Sequence, residues 1–328
     1  MEIEIREYKE GDERGIFELF SRVYPNSGDY DSWLKKWRWQ FKENPAGKSR
    51  IWLAVDGSRI AGQYPTIISK MKMHDRINLV AQNIHLMVDP DYRGKGIFQR
   101  LEKQATDELG GSGVSLVWGY PNTDSLKGHL NSGWTMIDHY SMLFRILNPF
   151  NLIASGEGHR PASSSFVEVQ RFDDSCKESI DRFTESKDFT TVRDIDFLNW
   201  RYDKSNGFRI FYHIRGRSVE GYLVYKITRF KRFNVGYVFD MVYGDKAGLK
   251  GMLKGFRRQC GRDGAVAVLF PVLTSKPHRK EMQRAGLFNY PSYSPMTLYG
   301  ISPEQKENIA PLEFKDMYFI LGDLVYNG

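Results

Sequence analysis

The sequence predicts an α/β (α+β) protein built from two similar halves, and three features indicate this. A strand, a short basic glycine turn and a helix follow one another over residues 84–109. Strand-like and helix-like patterns alternate through residues 1–147. Landmarks of that part then recur, in the same order, in the rest of the chain. With 328 residues, of which 41% are apolar and 14% aromatic, the chain is long enough for two domains with sizeable cores.

The elements of the first part follow from hydrophobic periodicity and turn signals. Short apolar or alternating segments predict strands at 3–5, 51–55, 60–68, 79–88, 114–120 and 136–146. Apolar residues at helical spacing predict helices after Asp12, over 33–41, over 97–109 and over 125–131. Asp56-Gly57 is a strong hairpin signal between the second and third strands. We expect the last strand, 136–146, to close the sheet of this half.

The turn after the strand at 84–88 has the composition of an anion site. Such a turn leaves the first N–H groups of the following helix free and directs the positive end of the helix dipole outward. With Arg93 and Lys95 beside it, the turn is suited to hold a pyrophosphate. The P-loop pattern is absent, and the dinucleotide fingerprint is incomplete because Gln99 stands where its third glycine would be.

This stretch resembles the acetyl-CoA motif of the GNAT superfamily of N-acetyltransferases, V-x-P-x-Y-R-G-x-G-[IL]-(G/A). The matching residues are Val88, Pro90, Tyr92, Arg93, Gly94, Gly96 and Ile97. Phe98 departs from the motif, since most members carry Gly or Ala there. Tandem aminoglycoside acetyltransferases of the enhanced-intracellular-survival type also tolerate a large residue at this position. The resemblance covers residues 1–147 and implies a mixed central sheet flanked by helices.

The same resemblance implies how acetyl-CoA is held as the acyl donor. Backbone N–H groups of Leu86, Met87 and Val88 are expected to bind the pantetheine and to polarise the thioester. The expected pyrophosphate site consists of Arg93, Gly94, Lys95, Gly96, Ile97 and Phe98. A second family motif, N-x-x-[AS]-x-x-x-Y-x-x-x-G-[FW], is matched by Asn122, Ser125, Gly133 and Trp134. Asn122 and Ser125 are therefore also predicted to contact the cofactor.

Two histidines are the candidate catalytic residues. His129 stands where the family usually has its acid tyrosine, and an imidazolium is a stronger acid than a thiol of pKa about 8.5. It would protonate the departing thiolate, or it is a partly buried helix residue without chemistry. His85, on the cofactor strand, would accept the amine proton directly or through water, but a core role is favoured. Tyr120 and Asp138 are weaker candidates for this base.

The second half of the sequence resembles a modified copy of the first. Trp200-Arg201-Tyr202 corresponds to Trp37-Arg38-Trp39, and the pair Gly216 and Gly221 corresponds to Gly57 and Gly62. The segment 148–165 is rich in Gly, Ser and Pro, which predicts a linker between domains 1–147 and 166–328. Ala247 stands where Arg93 would be, so we expect no acetyl-CoA there. By resemblance to tandem enzymes, this half is expected to form one wall of the acceptor site.

Composition and residue spacing bear on four further questions: metal binding, membrane association, redox compartment and nucleic-acid binding. The seven histidines show no metal-ligand spacing, so no metal is expected. The N-terminus begins at once with a strand and a helix, and no apolar run reaches the length of a bilayer, so neither signal peptide nor membrane is expected. Only two cysteines are present, which fits a cytoplasmic protein. The net charge of +7 suits a phosphate-bearing cofactor, and the basic clusters at 226–232 and 257–262 lack any nucleic-acid motif.

Three functions remain open from the sequence. The leading one is an N-acetyltransferase that acts on a small primary amine such as an amino sugar or aminoglycoside-like compound. The same fold would also suit transfer of an aminoacyl or longer acyl group, with Phe98 reshaping the cofactor site. The third is a CoA-binding module without catalysis. The intact turn from Arg93 to Gly96 and the presence of His129 argue against this last function.

Overall fold

Two runs of strands and helices in nearly the same order make up the chain. The computed structural model describes residues 3–147, 164–301, 317–320 and 323. The first run comprises β1 (Glu4–Glu7), α1 (Glu13–Val23), α2 (Tyr30–Lys42), β2 (Arg50–Asp56), β3 (Arg59–Met73), β4 (Arg76–Asn83), β5 (Met87–Val88), α3 (Ile97–Gly110), β6 (Leu116–Gly119), α4 (Thr123–Asn131) and β7 (Thr135–Ile146). A 3-10 turn at Pro90–Tyr92 precedes α3.

The second run has nearly this order, with an additional strand between its first two helices, another at its end and no counterpart of β5. It comprises β8 (Ser164–Val169), α5 (Lys177–Glu185), β9 (Phe189–Thr191), α6 (Ile195–Arg201), β10 (Arg209–Arg215), β11 (Ser218–Phe230), β12 (Phe233–Tyr243), α7 (Lys246–Arg262), β13 (Ala265–Thr274), α8 (Lys276–Arg284), β14 (Phe288–Gly300) and β15 (Met317–Ile320). Short 3-10 turns lie at Asp174–Cys176 and Lys204–Asn206. The predicted linker lies outside the described residues over 148–163, and its last two positions begin β8. The domain boundary therefore stays a prediction.

The predicted strand 79–88 is interrupted in the structure. β4 ends at Asn83 and β5 contains only Met87 and Val88. Between them, His85 has a φ of 50°, in the left-handed region that side chains other than glycine rarely adopt. This conformation turns the chain out of the line of β4, so the strand continues only after an irregular segment.

One sheet joins both halves because their last strands are exchanged. The strand order is β1-β2-β3-β4-β6-β14-β7-β13-β12-β11-β10-β8. β14 pairs with β6, with Leu298 opposite Trp118, and also with β7. β7 in turn pairs with β13, with Phe144 opposite Leu269. The expectation that residues 136–146 close the sheet of the first half is therefore wrong, since the strand from the second half stands between β6 and β7.

The junction between the halves is packed with apolar side chains and crossed by partly buried hydrogen bonds. Met71, Val80 and Leu116 share one core cluster with Phe189, Leu273 and Phe319. Trp39 and Trp200 stack, and each indole N–H donates to the other residue's carbonyl oxygen, at 2.9 and 3.0 Å. Such a reciprocal contact is what a twofold relation between similar units produces. The two halves are therefore bound into a single sheet with a continuous interior.

Candidate functional site

An opening between two strands lies at the centre of the first half. β4 runs parallel to β6 and pairs with it from Val80 to Gln82. β5 pairs with β3, where Gly62 is opposite Val88 and Gln63 is opposite Met87, and among the described residues it has no other strand partner. Beyond Gln82 the line of β4 and β5 therefore separates from β6. The predicted thioester-binding residues Leu86, Met87 and Val88 lie along this opening, and their contact with the thioester stays a prediction.

The glycine turn leads directly from this opening into α3. Gly94 and Gly96 have φ values of 74° and 72°, which suit glycine best. Gly96 is the N-cap of α3, so no side chain caps the helix, and its first turn holds no acidic residue. Arg93 Nε lies 3.4 Å from the Val88 carbonyl oxygen, and Lys95 Nζ lies 4.7 Å from the ring centroid of Tyr92. The exposed turn thus presents positive charge and helix N–H groups, as a pyrophosphate site requires.

Asp89 holds the start of this turn in place. Its buried carboxylate accepts hydrogen bonds from Arg22 Nε at 2.6 Å, from Arg59 Nη2 at 2.8 Å and from the Asp91 N–H at 3.1 Å. Burial alone would raise the pKa of Asp89, but these hydrogen bonds outweigh it and hold the pKa below its ordinary value. No motif in the sequence assigns Asp89 this role. Nothing in its local pattern indicates the two arginines, because they lie far away in the chain.

Phe98, which departs from the family motif, fills the space between α3 and α4. A Cβ atom at Gly128 would lie 2.9 Å from the edge of the Phe98 ring, so the ring rests against the backbone of α4. The ring also meets His129 edge-on, with centroids 5.2 Å apart. The large residue at position 98 is accommodated by a residue without a side chain at position 128.

His129 is turned toward the interior. Its Nδ1 lies 2.6 Å from Oε1 of Glu102, and both side chains are about 95% buried, with exposed fractions of 5% and 3%. Its ring also packs on Trp134, with centroids 4.4 Å apart. These contacts support the packing interpretation of His129. The role of general acid stays a prediction.

Asn122 and Ser125 begin α4. Asn122 Oδ1 accepts hydrogen bonds from the N–H and the hydroxyl of Ser125, both at 2.9 Å. This is a side-chain cap, so stabilisation of the helix N-terminus accounts for both residues at these positions. Their predicted contact with the cofactor is not tested by this arrangement.

A cavity of about 340 Å³ lies between α1, α2 and the connection from β4 to β5. Its walls carry both aromatic and polar residues, and the aromatic ones include Phe20, Tyr24, Trp33, Trp37 and Phe41. Aromatic residues at helical spacing do not by themselves distinguish a core from a cavity wall. Among the described residues, every side chain that lines this cavity belongs to the first half. The expected wall from the second half therefore stays a prediction.

His85 and Gln63 form the part of the wall nearest the cofactor strand. Burial lowers the pKa of His85 to about 4, so the imidazole is neutral near pH 7. Gln63 Nε2 donates to the His85 carbonyl oxygen at 3.0 Å, and the backbone of Gln63 pairs with Met87. The cavity and the predicted thioester site are thereby adjacent. Sequence reasoning found His85 but missed Gln63, which no motif marks.

The two weaker candidates for a base have other contacts. Tyr120 donates to the hydroxyl of Tyr140 at 2.9 Å, and Tyr140 donates to the carbonyl oxygen of Ile320 at 3.1 Å. Burial raises the pKa of Tyr120 well above its ordinary value, which makes its phenolate hard to form. Asp138 accepts a hydrogen bond from the N–H of His139 at 2.7 Å. Neither side chain is among those that line the aromatic cavity.

The corresponding turn of the second half is built differently. α7 begins after Asp245, whose carboxylate accepts from the Gly248 N–H at 2.6 Å and pairs with Arg215 at 3.0 Å. The hydrogen bond from Arg215, followed by that from Gly248, lowers the pKa of Asp245 to about 2. The N-terminus of α7 therefore already carries a carboxylate, which competes with a phosphate for the same N–H groups.

The described residues contain neither a cluster of metal-ligating side chains nor a membrane-spanning helix. Within 3–147, 164–301, 317–320 and 323, no three His, Cys, Asp or Glu side chains converge as a metal site would require. No helix in the same residues combines the length and apolar character that crossing a bilayer demands.

Comparison with known proteins identifies the first half. Residues 4–135 match the family model described as an acetyltransferase (GNAT) domain. No curated protein sequence matches the chain. Residues 4–135 are thus similar to a GNAT acetyltransferase domain, and the predicted enzyme class, an acyl-CoA-dependent acyltransferase, is confirmed at the level of this region. The tandem enhanced-intracellular-survival type stays a prediction.

Solved structures share the whole fold at low sequence identity. A GCN5-related N-acetyltransferase from Anabaena variabilis is 12% identical with a TM-score of 0.72, over 93% of this chain and 74% of its own. A probable N-acyltransferase from Enterococcus faecalis is also 12% identical, with a TM-score of 0.71 and the same coverages, 93% and 74%. Saccharomyces cerevisiae N-myristoyltransferase, solved with myristoyl-CoA, is 11% identical with a TM-score of 0.61, over 90% and 82%. The predicted fold class, two GNAT-like units with a central sheet flanked by helices, is confirmed.

Proposed function

We propose that the protein transfers an acetyl group from acetyl-CoA directly to a primary amine of a small acceptor. One observation carries the proposal: the opening beside β5 connects the glycine turn to the aromatic cavity through adjacent residues. Phosphate, thioester and amine would then lie in sequence along a single path. No acyl-enzyme is needed, and both cysteines, Cys176 and Cys260, are buried.

The donor side is assigned to backbone groups and the basic turn. The residues fit a pyrophosphate, because the turn is exposed, carries Arg93 and Lys95, and lacks a capping side chain. Peptide N–H groups of Leu86 to Val88 would hold the thioester oxygen, and preorganised donors of this kind stabilise the charge that develops there. Asp89 acts as a positioning residue, since its two arginines fix the chain between the strand and the turn.

The acceptor side is assigned to the aromatic cavity. An ammonium group that enters an apolar site loses hydration, so its pKa falls and the reactive neutral amine is favoured. Of the two predicted catalytic histidines, His85 lines this cavity, whereas His129 is packed between α3 and α4. Neutral His85 would accept a hydrogen bond from the amine, directly or through water. Its low pKa makes it a weak acceptor for a complete proton transfer.

The size and lining of the cavity bear on the acceptor. Aromatic rings suit the apolar face of a sugar, so an amino sugar with one amine fits the proposal. An aminoglycoside carries several positive charges. Among the described residues that line the cavity, Lys36 is charged and no carboxylate is present, which disfavours such a polycation. The alternative is transfer of a longer acyl or aminoacyl group. A comparison of acyl donors distinguishes it from acetyl transfer.

Calorimetric titration with CoA tests the donor site. Arg93→Ala removes one cation from the turn and should weaken CoA binding about 10- to 100-fold, the usual contribution of a charged hydrogen bond. Gly94→Glu adds an acid at a left-handed position and should abolish binding. Lys103→Ala is the matched control, because this lysine is exposed on α3, the helix that follows the turn, and pairs with Asp107. Unchanged affinity in both turn variants would refute the site.

Thiol release with an amine panel tests the reaction. Acetyl-CoA and myristoyl-CoA should be compared as donors, with the same amines, because the alternative predicts that the longer chain is preferred. We expect acetyl-CoA to be consumed only when an amine is present. CoA binding without thiol release from any donor would indicate a binding module instead.

A further inference from the structure

We propose that the protein docks on an anionic lipid bilayer through one end of its sheet. The sheet-end surface consists of the apolar residues Ile146, Phe230, Phe233, Phe288 and Tyr290 and the basic residues Arg229, Lys231 and Arg232. The inference does not depend on the proposed function, because none of these residues belongs to the donor site or to the aromatic cavity. The sequence gave no reason to expect a membrane, since no apolar run crosses a bilayer, but docking on its surface needs no such run.

Exposed apolar side chains concentrate at this end of the sheet. Ile146 is 72% exposed, Phe230 62%, Phe288 60%, Tyr290 55% and Phe233 43%. These are five of the eleven large apolar side chains that are exposed in the described part of the chain. Single exposed apolar residues are ordinary, whereas a group of them marks a contact surface.

Strand pairing places these five side chains on one face. Phe230 is opposite Phe233 in the hairpin of β11 and β12. Directly opposite residues share a face of a sheet, and so do residues two apart along a strand. The remaining pairs are Val235 with Ala267, Ala267 with Ile146, Phe144 with Phe288, and Met142 with Tyr290. The surface therefore extends over adjacent strands from β11 through β12, β13 and β7 to β14, about 19 Å across.

The other face of the same strands is covered by α7. A Cβ atom at Gly236 of β12 would lie 2.5 Å from Sγ of Cys260 on this helix. Leu143 and Val268 point to that face as well, and both are fully buried. The exposed fractions show that, within the described residues, no element covers the first face in this way. The sheet is thus packed on one side and open on the side of the phenylalanines.

Positive charge borders the open face at the tip of the hairpin. Arg229, Lys231 and Arg232 are exposed. Lys231 Nζ lies 6.0 Å from the ring centroid of Phe230, and Arg232 Cζ lies 5.0 Å from that of Phe233. The segments 139–147, 227–238, 265–274 and 288–300, which form this part of the sheet, contain no Asp or Glu. Cations in such a position are attracted by the negative surface potential of anionic lipids.

This combination favours a bilayer over two other partners. A second copy of the chain that used the same surface would bring further cations and no carboxylate to pair with them. A single-stranded nucleic acid would neutralise the cations and stack on the rings, but an aliphatic side chain such as Ile146 offers no platform for a base. Lipid headgroups pair with the cations, and the apolar boundary below them accepts aromatic and aliphatic side chains alike.

Flotation of the full chain with lipid vesicles tests the docking. Vesicles of phosphatidylcholine alone are compared with vesicles that contain one-third phosphatidylglycerol. The protein should float with the anionic vesicles at low ionic strength, less so at high salt, and not with the neutral vesicles. The absence of flotation with anionic vesicles would overturn the inference, as would equal flotation with both compositions.

A double variant at the hairpin tip tests the charges. Lys231 has a φ of 55°, which glycine adopts easily, so Lys231→Gly removes a cation without straining the turn. Together with Arg232→Gln it should lower the partition coefficient for anionic vesicles about 30-fold. Arg100→Gln with Lys103→Gln is the matched control, because it removes one arginine and one lysine that are exposed on α3, in the first half. Equal losses in the two double variants would show a response to net charge alone and overturn the inference.

The phenylalanines have their own test. Phe230→Ser with Phe233→Ser should lower the partition coefficient about tenfold or more, because less apolar surface leaves water on docking. Ile77→Ser is the control, since Ile77 is 63% exposed beside a different hairpin, that of β3 and β4. Melting temperatures should stay close to that of the wild type, because the substituted side chains are exposed. An unchanged partition coefficient in the phenylalanine variant would refute contact with the bilayer interface.

Fluorescence locates the contact and separates the other partners. Brominated lipids in anionic vesicles should quench the added indole of Phe230→Trp and not that of Ile77→Trp, and equal quenching of both would overturn the inference. Binding of an oligouridine that requires Phe230, without flotation, would assign the surface to nucleic acid. A dimer that Phe230→Ser dissociates, again without flotation, would assign it to a second copy. Either result would replace the bilayer as the partner.

Discussion

The contact between Phe98 and Gly128 leads to a prediction about Gly128→Ala. Its effect on the free energy of unfolding should have opposite signs with and without the Phe98 ring. An alanine Cβ at position 128 would lie 2.9 and 3.0 Å from two atoms of the Phe98 ring. Ordinary carbon contacts are about 3.5–4.0 Å, so the ring would have to move. His129 meets that ring at a centroid distance of 5.2 Å and restricts the movement. Overpacking of this kind costs about 1–3 kcal/mol.

Helix propensity acts in the opposite direction. Gly128 lies inside α4 and is not among the positions of positive φ, so alanine should stabilise the helix by about 0.8–1.0 kcal/mol. In the wild-type background, the clash exceeds this gain, and Gly128→Ala should destabilise the protein by about 1 kcal/mol. In a Phe98→Ala background, the clash is absent. The same substitution should then stabilise the protein by about 1 kcal/mol.

Urea unfolding of the wild type, the two single variants and the double variant measures this coupling. The expected coupling free energy is about 1–3 kcal/mol, well above the error of such a cycle. The m-values should stay constant, so that the shifts report stability alone. Gly128→Ala with the same sign in both backgrounds would show that the ring is not held where the structure places it.

Three further predictions concern stoichiometry and the histidines. Purified protein should bind one equivalent of acetyl-CoA, because Asp245 already occupies the N-terminus of α7; two equivalents by calorimetry would contradict this. His129→Ala should lower the melting temperature and leave kcat per folded molecule near that of the wild type, whereas a stable variant with kcat reduced about 10²–10⁴-fold would establish the acid role. Burial holds the pKa of His85 near 4 in the folded protein, whereas in the unfolded chain it is about 6.5. The contribution of neutral His85 to the free energy of unfolding is therefore complete above about pH 6.5 and is lost toward pH 4. This loss amounts to about 2–3 kcal/mol between pH 7 and 4.5. Urea unfolding should show a smaller loss over this range in His85→Gln, and equal losses would refute the assignment.

Local patterns in the sequence predicted the parts of the fold that depend on neighbouring residues. The turn from Arg93 to Gly96, the hairpin at Asp56-Gly57 and the similarity of the two halves all follow from short spacings. The fold class was confirmed for that reason. The order of strands in the middle of the sheet was not predictable. Both β7 and β14 have the alternation of a sheet strand, and no pattern within either segment specifies the strand with which it pairs.

In the candidate site, too, features set by neighbouring residues were predictable, whereas contacts between residues distant in the chain were not. A motif predicted the glycine turn and the strand before it, but it did not indicate the residues that support them. Asp89 depends on Arg22 and Arg59, which approach it only in the folded chain. Gln63 and Trp37 each have a buried hydrogen-bonding atom without a partner among the described residues, a property that only three-dimensional packing reveals. His129 illustrates the converse, since a motif position suggested chemistry and Glu102 supplies a structural partner.

The exchange of β7 and β14 has a consequence for how the protein is made. Thr297 donates to the carbonyl oxygen of Gly119, a residue 178 positions earlier in the chain. During synthesis, β6 therefore leaves the ribosome long before its neighbour exists, and it presents an open edge until β14 emerges. Loop closure over such a distance slows folding, and an open edge invites pairing with other nascent chains. The half that carries the glycine turn and the cavity is thus completed only after Gly300, at the end of β14, has been translated.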